Sequence, residues 1–328
     1  MKEPQSPRVA VIGGGVNDEH DVSLASAAAV VRAVDALGLD VVALTIGRDG
    51  IWRAADGRTL SAAEAVGMLT TCDVAVPALH GVNGEDGSIA GLLELIGVPH
   101  VGSPVRAGAL AIDKWVTKLI AGALGIATAS GVLVRAGSDA STVAFAPPCV
   151  VKPTTGGSSS GVSVVHRPDD LAPAIERARL LAEDVLVEDY VGGREVDVAL
   201  FRDRRGTLRA GATLEIDRTP GAVFDREQKY DGTASFTVPA RIDASDEAAI
   251  LDAATSLYEA LGCRGIARFD FFVTPTGVVL NEVNTAPGLT EQSQVPRMYA
   301  AHGLDYAHLI AEVLEVALHT GIRADIGG

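Results

Sequence analysis

Between Arg8 and Val101, apolar runs of strand length alternate with segments of helical period. Val9–Ile12 is an apolar run that stops at Gly13-Gly14-Gly15, and Val22–Leu37 then sets Leu24, Val31, Val34 and Leu37 near helical spacing until Gly38 ends it. Val41–Ile46 predicts a second strand, Val74–Leu79 a further buried one, Ser88–Ile96 a short helix, and Val98–Val101 a strand entered through Pro99. Strand, helix, strand in this order predicts a parallel α/β layer. In such a sheet the strand ends at Gly13 and His80 share one edge, where ligands bind.

Farther on the pattern changes. One helix is predicted from Ala107 to about Gly125, followed by short β segments at Val132–Val134, Cys149–Lys152, Val162–Val165 and Val185–Glu188, punctuated by Pro147-Pro148 and the Thr154–Gly161 loop. This is an α+β unit. Beyond Gly192 come strands at Val196–Phe201, Leu208–Ile216, Ala267–Val273 and Val278–Glu282, with helices at Asp246–Leu261 and Tyr306–His319. No internal repeat or low-complexity tract interrupts the chain.

Composition narrows the function. Of 328 residues, 48% are hydrophobic and 21% charged, enough apolar surface for real cores and too much for a disordered chain. Lysine and arginine total 27 against 42 aspartate and glutamate, so the formal charge is −15. That balance argues against a broad nucleic-acid or anionic-membrane surface, though not against a local basic pocket for one small anion. The N-terminus lacks the apolar core of a signal peptide, and the stretch Leu119–Val134 is too often interrupted to span a bilayer, so the expectation is a cytoplasmic protein with no membrane partner. Cys72, Cys149 and Cys263 are far apart with no CxxC, which predicts reduced, mostly buried thiols.

Three segments carry chemistry. KPTTGGSSSGVS, Lys152–Ser163, follows an apolar strand and offers backbone N–H groups and hydroxyls to phosphate oxygens, with the Lys152 ammonium at the strand end. It lacks the Walker order, and a Gly/Ser loop alone would be an ordinary surface turn. ARFDFF, Ala267–Phe272, and VVLNEVNTAPG, Val278–Gly288, read as a hairpin placing Asp270, Glu282 and Asn284 on adjacent strands, an oxygen set that suits Mg²⁺. VLVEDYVGGREV, Val185–Val196, offers a strand edge to an adenine ring and a carboxylate, Glu195, to ribose hydroxyls. Glu19-His20, His80 and Lys229-Tyr230 are dispersed, and two of these groups lie at strand ends of the first unit. GGGVND is no dinucleotide fingerprint, because Asp18 stands where the third glycine belongs and no acid closes the second strand.

In order, GGGVNDEHDVSLAS, ALHGVNGEDGSIAGLLELIGVPHVGS, KPTTGGSSSGV, KY, ARFDFF and NEVNTAPGLTEQSQVP resemble the D-alanine–D-alanine ligase family of the ATP-grasp superfamily, from Val9 to about Leu314. The resemblance implies a mixed α/β and α+β, three-domain ATP-grasp fold: a parallel α/β substrate domain at 1–104, a central subdomain at 105–192 and a C-terminal subdomain with the metal site at 193–328. It implies ATP and two Mg²⁺ ions, with Mn²⁺ as a substitute, D-alanine as substrate, and a homodimer. The activity implied is ligation of two D-alanines through an acyl phosphate, for peptidoglycan synthesis. By resemblance Lys114 and Lys152 contact the phosphates, Ser158 and Ser159 belong to the loop closing over them, Glu188, Asp189 and Val191 hold adenine, and Glu195 holds ribose. Asp270, Glu282 and Asn284 become metal ligands. Glu19 grips the first ammonium with His80 nearby, Arg268 and the Gly288 N–H meet the oxyanion, Ser293 and Lys229 take the second carboxylate, and Tyr230 with Ser158 links to Glu19.

Two features depart from that family. Thr154-Thr155-Gly156 is looser than the longer side chains usual there. Glu291 stands where a small residue is usual: either it faces the side of Ser293 and repels the second substrate's carboxylate, or it faces solvent or pairs with Arg297, the arrangement favoured here. The alternatives to D-alanine ligation are joining D-alanine to another amino or hydroxy acid, or a silent nucleotide-binding relative. Lys152, Arg268, Asp270, Glu282 and Asn284 speak against silence.

Overall fold

A computed structural model describes residues 6–217 and 235–325 of the chain. The first unit is a five-stranded sheet. β1 (Arg8–Gly14) lies centrally, joined by α1 (His20–Ala36) to the parallel β2 (Asp40–Ile46); β3 (Trp52–Ala54) and β4 (Thr59–Leu60) extend the far edge. After α2 (Ala62–Leu69), β5 (Val74–Pro77) pairs with β1 from the other side, Ile12 opposite Pro77, so the ends near Gly13 and His80 share an edge as expected. The short β3, β4 and α2 carry too few apolar positions to have been anticipated. β1 is buried on both faces, as its unbroken apolar run requires. On α1 the buried stripe is Ser23, Ser26, Ala29, Val30, Ala33 and Val34, whereas Leu37 is exposed. Small side chains let this helix lie close against β1, and that puts two serines, not leucines, beside His80.

α3 (Ser88–Leu95) follows, and then the expected strand at Val98–Val101 reduces to a single bridge between Ala75 and His100. Pro99 has no N–H with which to extend a ladder. The predicted single helix at 107–125 is two, α4 (Val105–Ile112) and α5 (Lys114–Ala123). Asp113 breaks it with extended backbone, its carboxylate accepting from the N–H groups of Trp115 and Val116 to cap α5.

A four-stranded antiparallel sheet comes next, ordered β6 (Gly131–Val134), β9, β7, β8, with β7 at Cys149–Pro153, β8 at Ser163–Val165 and β9 at Val185–Asp189. Between β8 and β9 runs α6 (Leu171–Arg179), which buries Leu171, Ala174, Ile175 and Ala178 at helical spacing that the sequence reading passed over.

The third sheet has β10 (Arg194–Arg202) paired with β11 (Leu208–Ala210), β12 (Leu214–Asp217) and, on its other side, a later strand; β12 also pairs with β13 (Ser235–Thr237). The strand expected at Leu208–Ile216 is thus divided. At Gly211 the chain passes so close to a later helix that a Cβ would come within 2.8 Å of the Met298 Cβ. α7 (Ala244–Leu261) leads to the hairpin β14 (Ala267–Thr274) and β15 (Gly277–Asn284), and α8 (Gln294–Ala300) and α9 (Tyr306–Asp325) close the chain. α8 was not anticipated, because Pro296 suggests a loop, yet proline in a first turn lacks only an N–H that the helix does not use.

The apolar clusters fasten these layers together. One core joins Val9 and Val11 of the first sheet and Val34 of α1 to Phe201, Leu214, Met298 and Leu309. Another sets Ala107, Ala111 and Ala121 of α4 and α5 against Phe269, Phe271 and Leu280 of the hairpin. The three cysteines are free and buried as expected, and burial pushes the Cys263 thiol up to about 12.

Candidate active site

One cleft, of about 880 Å³, lies between the four-stranded sheet and the β14–β15 hairpin. Lys114, Lys152, Ser159, Glu188, Asp189, Val191 and Glu195, all singled out from the sequence, line it. Lys152 sits near the end of β7 and Glu188 on the neighbouring β9, and the two are linked by a 2.6 Å ion pair. The other Glu188 oxygen meets Lys118 of α5 at 2.7 Å. Burial alone would raise the Glu188 carboxyl, but Lys152 and Lys118 hold it below its ordinary value. One helical turn before Lys118, the Lys114 ammonium donates to the Gly156 carbonyl at 2.7 Å and lies 3.6 Å from Glu282. The Gly/Ser loop leaves β7 with Ser158 and Ser159 at φ 51° and 57°, a left-handed pair that turns the Ser158 hydroxyl back toward α1.

Beyond a wall formed by Gly157, Glu195 and Glu282, which line both spaces, opens a second cleft of about 1530 Å³. Glu19 stands at the start of α1 and accepts a 2.5 Å hydrogen bond from Ser158 Oγ. Gly81, at φ 69°, passes so close that a Cβ there would collide with the Glu19 carboxylate. His80 is fixed from three directions. Its backbone N–H donates to Ser23 Oγ at 3.0 Å, its Nδ1 lies 2.7 Å from the Ala286 carbonyl and its Nε2 2.9 Å from Ser26 Oγ. Because a carbonyl only accepts, Nδ1 carries the proton and Nε2 accepts from Ser26. Burial lowers the His80 pKa despite Glu19, in keeping with this neutral ring.

Across the cleft Arg268 chelates Asp270 through Nε at 2.7 Å and Nη2 at 2.8 Å, and Asn284 donates to Asp270 at 3.0 Å. Burial would lower the guanidinium, but Asp270, with Asp197 and Glu282, holds it well above its ordinary value. Register explains the grouping: Asp270 pairs with Glu282 and Arg268 with Asn284, so all four project from one face of the hairpin. Among the described residues no three His, Cys, Asp or Glu side chains converge as a metal cage. Two carboxylates and an amide oxygen still fit a hard divalent cation that completes its shell with phosphate oxygens and water. Gly288 and Ser293 line the same cleft, where Ser293 Oγ lies 2.7 Å from Thr290 Oγ1. Lys229 and Tyr230 fall outside the described residues.

Glu291 lies away from this cleft. It is 52% exposed and its carboxylate is 3.7 Å from Arg32 of α1, while Arg297 instead donates to Gln292. The expected outward orientation stands, but the expected partner is replaced: Arg297 turns back over its own helix start and Arg32 reaches across.

Three residues escaped the sequence reading. Lys118 was not singled out; its signal was the four-residue spacing from Lys114. Glu85 sat in a polar GEDG turn, yet burial and the Glu19 carboxylate push its carboxyl up to about 8. Asn281 is the extra residue of a bulge between Asp270 and Phe271, and its amide oxygen meets Lys152 at 3.3 Å.

Two antiparallel sheets closing on a lysine-lined cleft, with a Gly/Ser loop on one and an Asp/Glu/Asn hairpin on the other, define an ATP-grasp enzyme. Comparison with known proteins narrows the class. The chain belongs to the D-alanine–D-alanine ligase family: residues 8–103 match the model for the D-ala D-ala ligase N-terminus and 135–315 that for its C-terminus. It is 38% identical to the D-alanine–D-alanine ligase of Rhodococcus jostii (strain RHA1), over 98% of this chain and 99% of that protein. The ligase of Mycolicibacterium smegmatis (strain ATCC 700084 / mc(2)155) is also 38% identical, over 98% of each chain. Among solved structures, VanG D-Ala:D-Ser ligase from Enterococcus faecalis superposes with TM-score 0.81 at 31% identity, over 95% of this chain and 100% of that one. The ATP complex of D-alanine–D-alanine ligase from Bacillus anthracis does so with TM-score 0.80 at 26% identity, over 97% and 100%.

Proposed function

We propose that this chain joins two molecules of D-alanine into D-alanyl-D-alanine at the expense of ATP, which leaves as ADP and phosphate. The observation that carries the reading is the Ser158–Glu19 hydrogen bond, which ties the phosphate loop to the carboxylate at the mouth of the second cleft. Loop and carboxylate thereby meet at the shared wall, where a phosphoryl group from one cleft would reach a substrate in the other.

In this mechanism Glu19 holds the first D-alanine's ammonium, with His80 packed alongside. The substrate carboxylate forms a new O–P bond to the γ-phosphate while the bridging bond to ADP breaks, giving an acyl phosphate. Lys114 and Lys152 neutralise the phosphates, and the adenosine lies along Glu188, Asp189 and Val191, with its ribose at Glu195. Positioning and charge dominate such transfers. Asp270, Glu282 and Asn284 would hold a divalent ion, which would supply further positive charge near the phosphates. The second D-alanine's amine then attacks the acyl carbon and loses its proton. The oxyanion is met by Arg268 and the Gly288 N–H, and the tetrahedral adduct collapses by expelling phosphate. Ser293 and Lys229 take the second carboxylate, and Tyr230 joins Ser158 and Ser159 in holding the closed loop, which keeps water from the acyl phosphate.

The same reading makes the enzyme a cytoplasmic homodimer with domains at 1–104, 105–192 and 193–328 and two Mg²⁺ ions, replaceable by Mn²⁺, and its product serves peptidoglycan synthesis. Among the described residues no helix is long and apolar enough to cross a membrane. The test is phosphate release across D- and L-amino acids and D-lactate, with products identified by mass. D-serine belongs in the panel because of the likeness to VanG. D-alanyl-D-alanine is the expected main product; no dipeptide, or a preference for D-lactate or D-serine, would overturn the substrate assignment.

A further inference from the structure

Lys118 has no place in the mechanism above, yet it is as buried as the residues that do. It is 8% exposed and absent from the walls of either cleft, and among the described residues its ammonium lies 2.7 Å from the Glu188 carboxylate and donates to the Ala129 carbonyl at 3.1 Å. Burial pulls its pKa below the ordinary lysine value, and the nearby Lys152 adds to that pull, although Glu188 opposes both. A second ammonium on an already paired, buried carboxylate is costly to place, so its charge calls for a reason.

Charge counting supplies one. Glu188 with Lys152 alone is a neutral pair, and Lys152 would be held to it as a closed ion pair. With Lys118 on the other oxygen, one negative charge is shared between two positive ones, and the buried cluster carries a net positive charge facing the cleft. An ammonium has three N–H donors. Lys152 Nζ lies 2.6 Å from Glu188 and donates to Asn281 at 3.3 Å, which leaves its ammonium donor capacity for an anion in the cleft that Lys152 lines. The placement is built into α5, where Lys114 and Lys118 lie four residues apart on one face behind the Asp113 cap.

We infer that Lys118 is a positioning residue for nucleotide phosphate: by taking half of Glu188 it keeps the Lys152 charge available to the phosphates without touching the nucleotide itself. The inference rests on reading the lysine-lined cleft as the ATP site. It predicts a selective defect. Removing Lys118 weakens ligands that carry phosphate and spares those that do not.

The experiment compares ADP and adenosine binding, by calorimetry with Mg²⁺ present, in the wild-type enzyme, Lys118→Met and Lys118→Arg. Wild-type binding of ADP tests the site itself, so failure of the ATP-site reading is seen before any variant is measured. In Lys118→Met, ADP affinity is expected to fall about tenfold or more, the scale of a hydrogen bond to a charged group, while adenosine affinity stays within twofold. Steady-state KM for ATP rises with it, and KM for D-alanine does not. Lys118→Arg restores ADP binding. Equal weakening of ADP and adenosine, unchanged ADP affinity, or no rescue by arginine overturns the inference. Should Lys118→Met not fold, Lys118→Gln is read by the same ADP-to-adenosine ratio.

Discussion

Ser158→Ala isolates the contact on which the proposed function stands. The hydroxyl donates at 2.5 Å to Glu19, which is itself 9% exposed, so its loss leaves a buried carboxylate short of one charge-assisted bond. Such bonds contribute about 1.5–3 kcal/mol, or roughly 10- to 100-fold in a rate constant if the contact is made in the transition state. Backbone strain complicates the variant, because residue 158 sits at φ 51° and only glycine adopts that conformation freely. Ser158→Gly therefore serves as partner: it also lacks the hydroxyl but relieves the backbone by about 1 kcal/mol. The two variants should differ in thermal stability, with glycine higher, and agree in activity. The assay is kcat/KM for D-alanine together with the ratio of phosphate released to dipeptide formed. Both should show kcat/KM reduced about 10- to 100-fold and phosphate in excess of dipeptide, since a loop no longer tied to Glu19 admits water to the acyl phosphate. An Ser158→Ala enzyme within threefold of the parent, with coupling intact, would refute the reasoning.

Glu282→Gln should abolish turnover, by about 100-fold or more, while circular dichroism stays unchanged, because a carboxylate is lost where phosphate charge must be neutralised; turnover within a few-fold of the parent excludes Glu282 from the metal set. Glu291→Ser should leave KM for the second D-alanine unchanged, since that carboxylate pairs with Arg32 outside the cleft, and a lowered KM would mean that it faces the substrate. Glu85 has a folded-state pKa of about 8, raised above the ordinary carboxylate value of about 4.3. Its contribution to stability is thus complete below the unfolded pKa and is lost as pH rises through that window. Relative to wild type, Glu85→Gln should gain melting temperature as pH rises from 5 to about 8 and level off above it, without nucleotide; a constant difference between pH 5 and about 8 would contradict the raised pKa.

Local pattern in the chain encodes part of this fold directly. Parallel strands buried on both faces appear as unbroken apolar runs, as β1 and β5 do; the shorter run of β2 was visible beside them, and with them the edge carrying Glu19 and His80. Period-two alternation set Asp270 with Glu282 and Asn284, and Lys152 at a strand end before a Gly/Ser loop marked the phosphate side. Tertiary structure decided everything that depends on what approaches from elsewhere in the chain. Asp113 divides a helix whose apolar pattern runs on without interruption, and the second helix then carries Lys114 at the cleft wall and Lys118 behind it, against Glu188. Nothing near Glu188 announces that two lysines, 70 and 36 residues away, would share its carboxylate. Glu85 became a perturbed acid because the fold buries it and brings Glu19 beside it, and Glu291 found Arg32, far off in sequence, rather than Arg297 nearby. Periodicity reports which face of an element is buried. Ion pairing and burial of single charges depend on distances between elements, which local sequence does not contain.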